Sequence, residues 1–141
     1  MGFRIFLDAN ILLDFLLKRD NFERAKTLMS LVISGKVSAF ITPAIVHILG
    51  YWLTKAYGTE MAKKLLINLL IDVIVIDISH ELTLLALNSK IDDIEDSLQY
   101  YTSIHNQLDY FISGDKKLQK AAIPILPVVT ADDFLKEIYR A

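Results

Sequence analysis

Acidic side chains standing just past apolar, strand-like runs are the residues of this chain best placed to do chemistry. Asp8 follows the run Phe3 to Leu7, Asp77 follows Val73 to Ile76, and Asp115 follows Tyr110 to Ile112 after Ser113 and Gly114. A further acidic segment, Asp92, Asp93, Glu95 and Asp96, opens the helical stretch that leads into the Tyr110 run. Carboxylates that converge repel one another unless a cation sits among them, and hard oxygen donors select Mg²⁺ or Mn²⁺. Metal-assisted attack on a phosphoryl or phosphodiester group is the natural chemistry of such a site. Other chemistries lack their residues. Cys 0 excludes thiol catalysis, Cys-ligated zinc and iron-sulfur clusters. No G-x-S-x-G elbow, G-x-x-x-x-G-K-[ST] loop or G-x-G-x-x-G fingerprint is present.

The elements that must position these acids alternate in type. Phe3 to Leu7, Val37 to Ile41, Val73 to Ile76, Tyr110 to Ile112 and Leu126 to Val129 read as strands. Between them, helical spacing covers Asn10 to Lys18, Phe22 to Ser34, Pro43 to Tyr57 after a Thr42 cap, and Thr59 to Leu70. Further helices run from His80 to Asn88 after Ser79, from Asp92 or Asp93 to about Asn106, from Asp115 to Ala121, and from Ala131 to Tyr139. Strands alternating with helices imply a parallel sheet with helices on both faces, joined by right-handed crossovers. Ligands of such sheets bind outside the carboxyl ends of the strands, where Asp8, Asp77 and Asp115 lie. The run Val73 to Ile76 is apolar at successive positions, which predicts a strand covered on both faces and central or nearly so.

Composition bounds the molecule. A length of 141 residues, 53% hydrophobic and 23% charged, predicts one domain, residues 1–141, with a core that needs no disulfide or structural metal. The net charge of -2 supplies no global basic field, so any nucleic-acid site is local. The opening MGFRIFLDAN lacks the pattern of a signal peptide, and Asn68, Asp72 and Asp77 interrupt the greasiest stretch, so no membrane association and a cytoplasmic location are expected. A mean hydropathy of +0.39 is high for a small monomer and points to apolar surface covered by a partner.

Four segments carry a resemblance. Phe6-Leu7-Asp8-Ala9-Asn10-Ile11-Leu12-Leu13-Asp14 ends a first strand in an Asp, with Asn two residues later. Glu95-Asp96-Ser97-Leu98-Gln99 sets an acid at the start of the helix before the fourth strand, and Asp109-Tyr110-Phe111-Ile112-Ser113-Gly114-Asp115 is a strand followed by Ser-x-Asp. Pro127-Val128-Val129-Thr130 with Asp132-Asp133-Phe134-Leu135 forms the closing strand and helix. In order and spacing these resemble the PIN domain family over essentially the whole chain, and within it the VapC-like toxin ribonucleases. The resemblance implies an α/β fold, a three-layer α/β/α sandwich with a mainly parallel sheet of about five strands. It also implies a metal-dependent endoribonuclease that hydrolyses RNA, the toxin of a toxin-antitoxin pair. Asp8, Asp96 and Asp115 would be the catalytic metal ligands for Mg²⁺ or Mn²⁺, with Asn10 and Ser113 orienting them. A protein antitoxin and a second copy of the chain are the expected protein partners.

One position departs from that pattern. PIN domains usually place a Glu on the helix after the second strand, a few residues past a Ser or Thr, and Thr42-Pro43-Ala44-Ile45-Val46-His47 puts His47 there. Imidazole suits Mn²⁺ or a later transition metal better than Mg²⁺. The rival reading is therefore a PIN-like binding module that cuts weakly or not at all. Simpler roles also fit single residues. Asp8 and Asp115 are each placed to cap the next helix, and Asp92 to Asp96 to form a solvated helix start. Tyr51, Trp52, Tyr100 and Tyr101 fit core packing as well as base stacking, and Lys116 and Lys117 fit a solvated face as well as a phosphate site. A receiver domain phosphorylated on a carboxylate is a third reading, disfavoured because Asp8 stands alone at its strand end.

Overall fold

The structure, a computed structural model, describes residues 2–140. Among these, five strands and eight helices alternate: β1 Arg4–Leu7, α1 Ala9–Leu16, α2 Phe22–Ile33, β2 Ser38–Ile41, α3 Pro43–Tyr57, α4 Thr59–Leu69, β3 Val73–Val75, α5 His80–Leu87, α6 Ile94–His105, β4 Tyr110–Ile112, α7 Lys116–Ala121, β5 Val128–Val129 and α8 Ala131–Arg140. The sheet is parallel throughout, in the order β3-β2-β1-β4-β5. The α/β fold expected from the alternation is the one observed.

The strand order decides where the site can be. The chain moves outward from β1 through β2 to β3, then returns across the sheet to β4 on the other side of β1 and on to β5. Right-handed crossovers then place α1 to α4 on one face and α5 to α7 on the other, with α8 packed against α2. The direction reverses between β1 and β4, so a crevice opens beyond their carboxyl ends. Asp8 follows β1 and Ser113 follows β4 at that point, and the Asp8 amide donates to the Ile112 carbonyl at 3.1 Å, holding the two ends together.

β1 is the buried centre. Ile5, Phe6 and Leu7 are fully enclosed, Phe6 pairs in register with Phe40 and Phe111, and the Phe6 and Phe111 rings stack at 4.7 Å. A strand with helices on both faces has to be apolar at every position, which these residues satisfy. The expectation that Val73 to Ile76 forms a central strand is corrected: β3 is an edge. Val73 is buried, but Ile74 is 52% exposed and Val75 39%. Successive apolar residues report two apolar faces and say nothing of what covers them.

Local chemistry sets the helix starts. Thr42 caps α3 with Pro43 in the first turn, Ser79 caps α5 through the Leu82 amide, and Asp93, rather than Asp92, caps α6. Gly58, at φ 86, turns the chain between α3 and α4, a backbone angle that few side chains tolerate. No helix among the described residues is long and apolar enough to cross a membrane.

Candidate active site

Asp8 is held from two sides. Its Oδ1 accepts from the Ala9 amide at 2.7 Å and its Oδ2 from the Ser113 hydroxyl at 2.8 Å. The Ser113 oxygen in turn accepts from the Asp115 amide at 3.1 Å, and the Ser113 carbonyl accepts from the Gln119 amide group at 3.0 Å. Ser113 is fully buried and joins the end of β1 to the start of α7. Asp115 caps α7 with one oxygen, Oδ1, which accepts from the amides of Lys117 and Leu118 at 2.9 and 3.2 Å. Asp93 caps α6 by accepting from the Asp96 amide at 2.9 Å. The capping roles and the convergence of the acids coexist, because a cap engages only part of a carboxylate's acceptor capacity.

These residues share a cavity of about 550 Å³, lined by Asp8, Asn10, Asp93, Glu95, Asp96 and Asp115 among others. Of the basic residues here, Arg24 lines the cavity and Arg19 lies beside it, and both are already paired. Arg19 binds Asp14 at 2.8 Å and the Asn10 carbonyl at 3.2 Å, and Arg24 binds Asp132 at 2.8 Å. Among the described residues, none of Asp8, Asp93, Glu95, Asp96 and Asp115 makes an ion pair.

The electrostatic consequence is a site that resists its own ionisation. Partial burial is the main cause that pushes the Asp96 carboxyl up to about 7, and Asp93, Asp115, Asp8 and Glu95 add repulsion. Asp8 is also raised, by burial first; its bonds from Ser113 and Ala9 work against the shift, and Asp115 and Asp93 add to it. Glu95 is raised by burial and by Asp93 and Asp8.

The donor set fits a hard divalent cation. It consists of carboxylate oxygens carrying an excess of negative charge, which is what Mg²⁺ and Mn²⁺ select. Among the described residues, no three His, Asp or Glu side chains stand close enough to form a ready cage. Asp8, Asp96 and Asp115 line one cavity without being drawn together at its centre.

Not every expected site residue lies here. Asn10 lines the cavity, and Ser113 is buried behind it, bonded to Asp8. His47 lies elsewhere: it is exposed on the face of α3 that turns toward α4, in a groove of about 480 Å³ with Gly50, Tyr51, Thr54 and Lys55. That face follows helical spacing, while Ile45, Leu49 and Leu53 take the core. The imidazole is therefore outside the acidic cavity, and the donors within it are all oxygen. Asp77, for which a turn role fits the sequence better than a site role, has its Oδ1 accepting from the Ile78 amide at 2.9 Å beyond the edge strand. Tyr100 is wholly buried, which removes it as a base-stacking platform.

Asp93, one of the acids singled out in sequence, borders the cavity as well as capping α6, and repels both Asp8 and Asp96. One feature escaped the sequence reading. At the end of β2, the Thr42 hydroxyl bonds the Gln99 side-chain oxygen, and the buried Gln99 amide nitrogen has no partner among the described residues. A neutral pair, rather than an acid, thus occupies the carboxyl end of β2, a contact 57 residues apart in sequence.

Comparison with known proteins agrees with the fold. The model of the PIN domain family matches residues 4–117. Among solved structures, the chain is similar to VapBC2 from Rickettsia felis bound to a DNA fragment from their promoter, at 19% identity and TM-score 0.65 over 89% of this chain and 96% of that one. It is similar to a toxin-antitoxin complex from Klebsiella pneumoniae at 21% identity and TM-score 0.68, over 90% of this chain and 97% of that one. A third is VapC20 from Mycobacterium tuberculosis, a sarcin-ricin loop cleaving toxin, at 14% identity and TM-score 0.66 over 84% and 95% of the two chains. At these identities the likeness is one of fold. Comparison with curated proteins gives no match.

Proposed function

Because the chain belongs to the PIN domain family, we propose that it is a metal-dependent endoribonuclease that hydrolyses RNA phosphodiester bonds and acts as the toxin of a toxin-antitoxin pair. The observation that carries this reading is one cavity shared by five carboxylates with no basic partner. Asp8, Asp96 and Asp115 are the residues assigned to hold Mg²⁺ or Mn²⁺, and such an ion supplies a Lewis acid that neutralises charge on phosphodiester oxygens. The chain's own groups prepare that site. Ser113 and the Ala9 amide fix the Asp8 carboxylate in one orientation. Asp115 is anchored through Oδ1, leaving Oδ2 for another partner. Asp96, pushed up to about 7 by burial and its acidic neighbours, would give up its proton as it takes hold of the cation.

Titrating Mn²⁺ into wild type and Asp8→Asn tests the assignment. The variant should bind at least about tenfold more weakly and lose cleavage of an unstructured RNA, since even groups that only orient ligands cost about tenfold to a hundredfold. Equal affinity overturns it. A second reading, a module that binds without cutting, is favoured by the absence of any α3 residue from the lining of the acidic cavity. Wild type that takes up Mn²⁺ yet leaves the RNA intact would select that reading.

The reading extends to partners. A protein antitoxin and a second copy of the chain are the proposed occupants of apolar surface, which includes Ile71, Ile74 and Leu85, each more than half exposed. Toxin-antitoxin assembly in the similar Klebsiella pneumoniae complex supports the first. The unpaired edge of β3 supports the second, since an exposed strand edge is a template for pairing.

A further inference from the structure

A cavity of about 730 Å³ opens beside the acidic one and shares Asp93, Asp96 and Asp115 with it. Its size is that of an ordinary ligand site. Lys90, Lys117 and Lys120 line it together with Ile91 and Leu118. The three lysines are exposed, and among the described residues none forms an ion pair, although carboxylates line the same cavity. A lysine that leaves a nearby carboxylate unpaired has its charge available to another anion.

We propose that this cavity receives the phosphate backbone next to the cleaved bond of a single-stranded RNA, with Lys90, Lys117 and Lys120 as positioning residues. The identity of the ligand rests on the ribonuclease reading of the acidic cavity; the requirement for a repeating anion comes from the cavity itself. Its acids repel an anion on one side while its lysines attract one on the other, so a small anion gains little. A chain with spaced charges can present one phosphate to the acidic end through a cation and the following phosphates to the lysines. Lys117 and Lys120 are three residues apart on α7, so their side chains are neighbours about 5 to 6 Å apart at Cβ. Asp115 caps that same helix, which fixes the acid against the backbone that carries both lysines. Ile91 and Leu118 give the wall an apolar part for ribose and base. A concave site of this size takes one strand, whereas a duplex presents a broad, shallow surface.

The test is the binding of a fluorescent ten-nucleotide single-stranded RNA, measured by anisotropy at several salt concentrations with Ca²⁺ in place of Mg²⁺ and the RNA checked for intactness. Lys36→Ala, at the opposite end of the sheet, is the control. Each of Lys90→Ala, Lys117→Ala and Lys120→Ala should weaken binding severalfold. The triple variant should flatten the slope of log affinity against log salt by about 2, as expected for three lost contacts to a single strand. In cleavage assays these variants should raise KM with little change in kcat, because they touch the chain away from the reacting phosphorus. Binding and slope equal to wild type, absence of wild-type binding, equal preference for a duplex, or equal competition by polyglutamate would each overturn the proposal. A lysine-dependent, salt-sensitive wild type that cuts nothing in Mg²⁺ or Mn²⁺ leaves this subsite standing and removes the hydrolytic reading. Cleavage indifferent to the lysines does the reverse.

Discussion

Asp96 carries the largest electrostatic tension at the residue scale. Its folded-state carboxyl titrates at about 7 against an ordinary 3.8, so between those values the native state holds a proton that the unfolded chain has released. The stability this gives is complete below about 3.8 and is lost as pH rises through about 7. Asp8 and Glu95 are shifted in the same direction. Thermal unfolding without divalent ions should therefore show this site adding stability as pH falls from 8 toward 5. Asp96→Asn should be more stable than wild type at pH 8 and have a flatter profile, and Mn²⁺ at pH 8 should raise the wild-type Tm. An unchanged pH profile in the variant would exclude Asp96 as the source. Asp8 and Asp115 were legible as candidates because each stands just past a strand, where an α/β sheet exposes its ligands, and Asp96 through the resemblance of its helix start to the PIN pattern. The raised pKa values were not legible, since they arise first from burial in the fold and then from repulsion among acids at the starts of α1, α6 and α7.

At the scale of elements, capping residues were readable and packing partners were not. Thr42 with Pro43, Ser79 and Asp93 start their helices through contacts within a few residues, so local sequence contains the cause. The position of α6 depends instead on Tyr100. Its hydroxyl donates to the Leu126 carbonyl at 2.7 Å and accepts from the Ile123 amide at 2.8 Å, tying the helix that carries Asp96 to the loop before β5. Tyr100→Phe leaves both groups short of a partner and should destabilise the protein by about 1 to 3 kcal/mol, measured by urea unfolding. A change within error would show that solvent satisfies the loop. His47 illustrates the opposite limit. The resemblance put it where the PIN pattern would have a Glu, but the face of α3 on which it falls is turned toward α4.

For the whole molecule, a net charge of -2 conceals strong local separation. Carboxylates crowd the switch point between β1 and β4, and three lysines line the neighbouring cavity. The high mean hydropathy has a structural counterpart in exposed Ile67, Ile71, Ile74 and Leu85. If the β3 edge pairs two copies, light scattering should report about twice the 16.0 kDa chain mass for wild type, and Ile74→Lys should return it to the monomer. A monomeric wild type would exclude the dimer. The alternation of strands and helices, and with it the fold class, was determined by sequence alone, because hydrophobic period and helix caps act over a few residues. Strand order, the edge position of β3, the outward placement of His47 and the neutral Thr42–Gln99 pair were decided only by tertiary structure. The physical reason is that apolar pattern states which surfaces must be buried, while the partner that buries each is chosen by contacts between residues far apart in the chain.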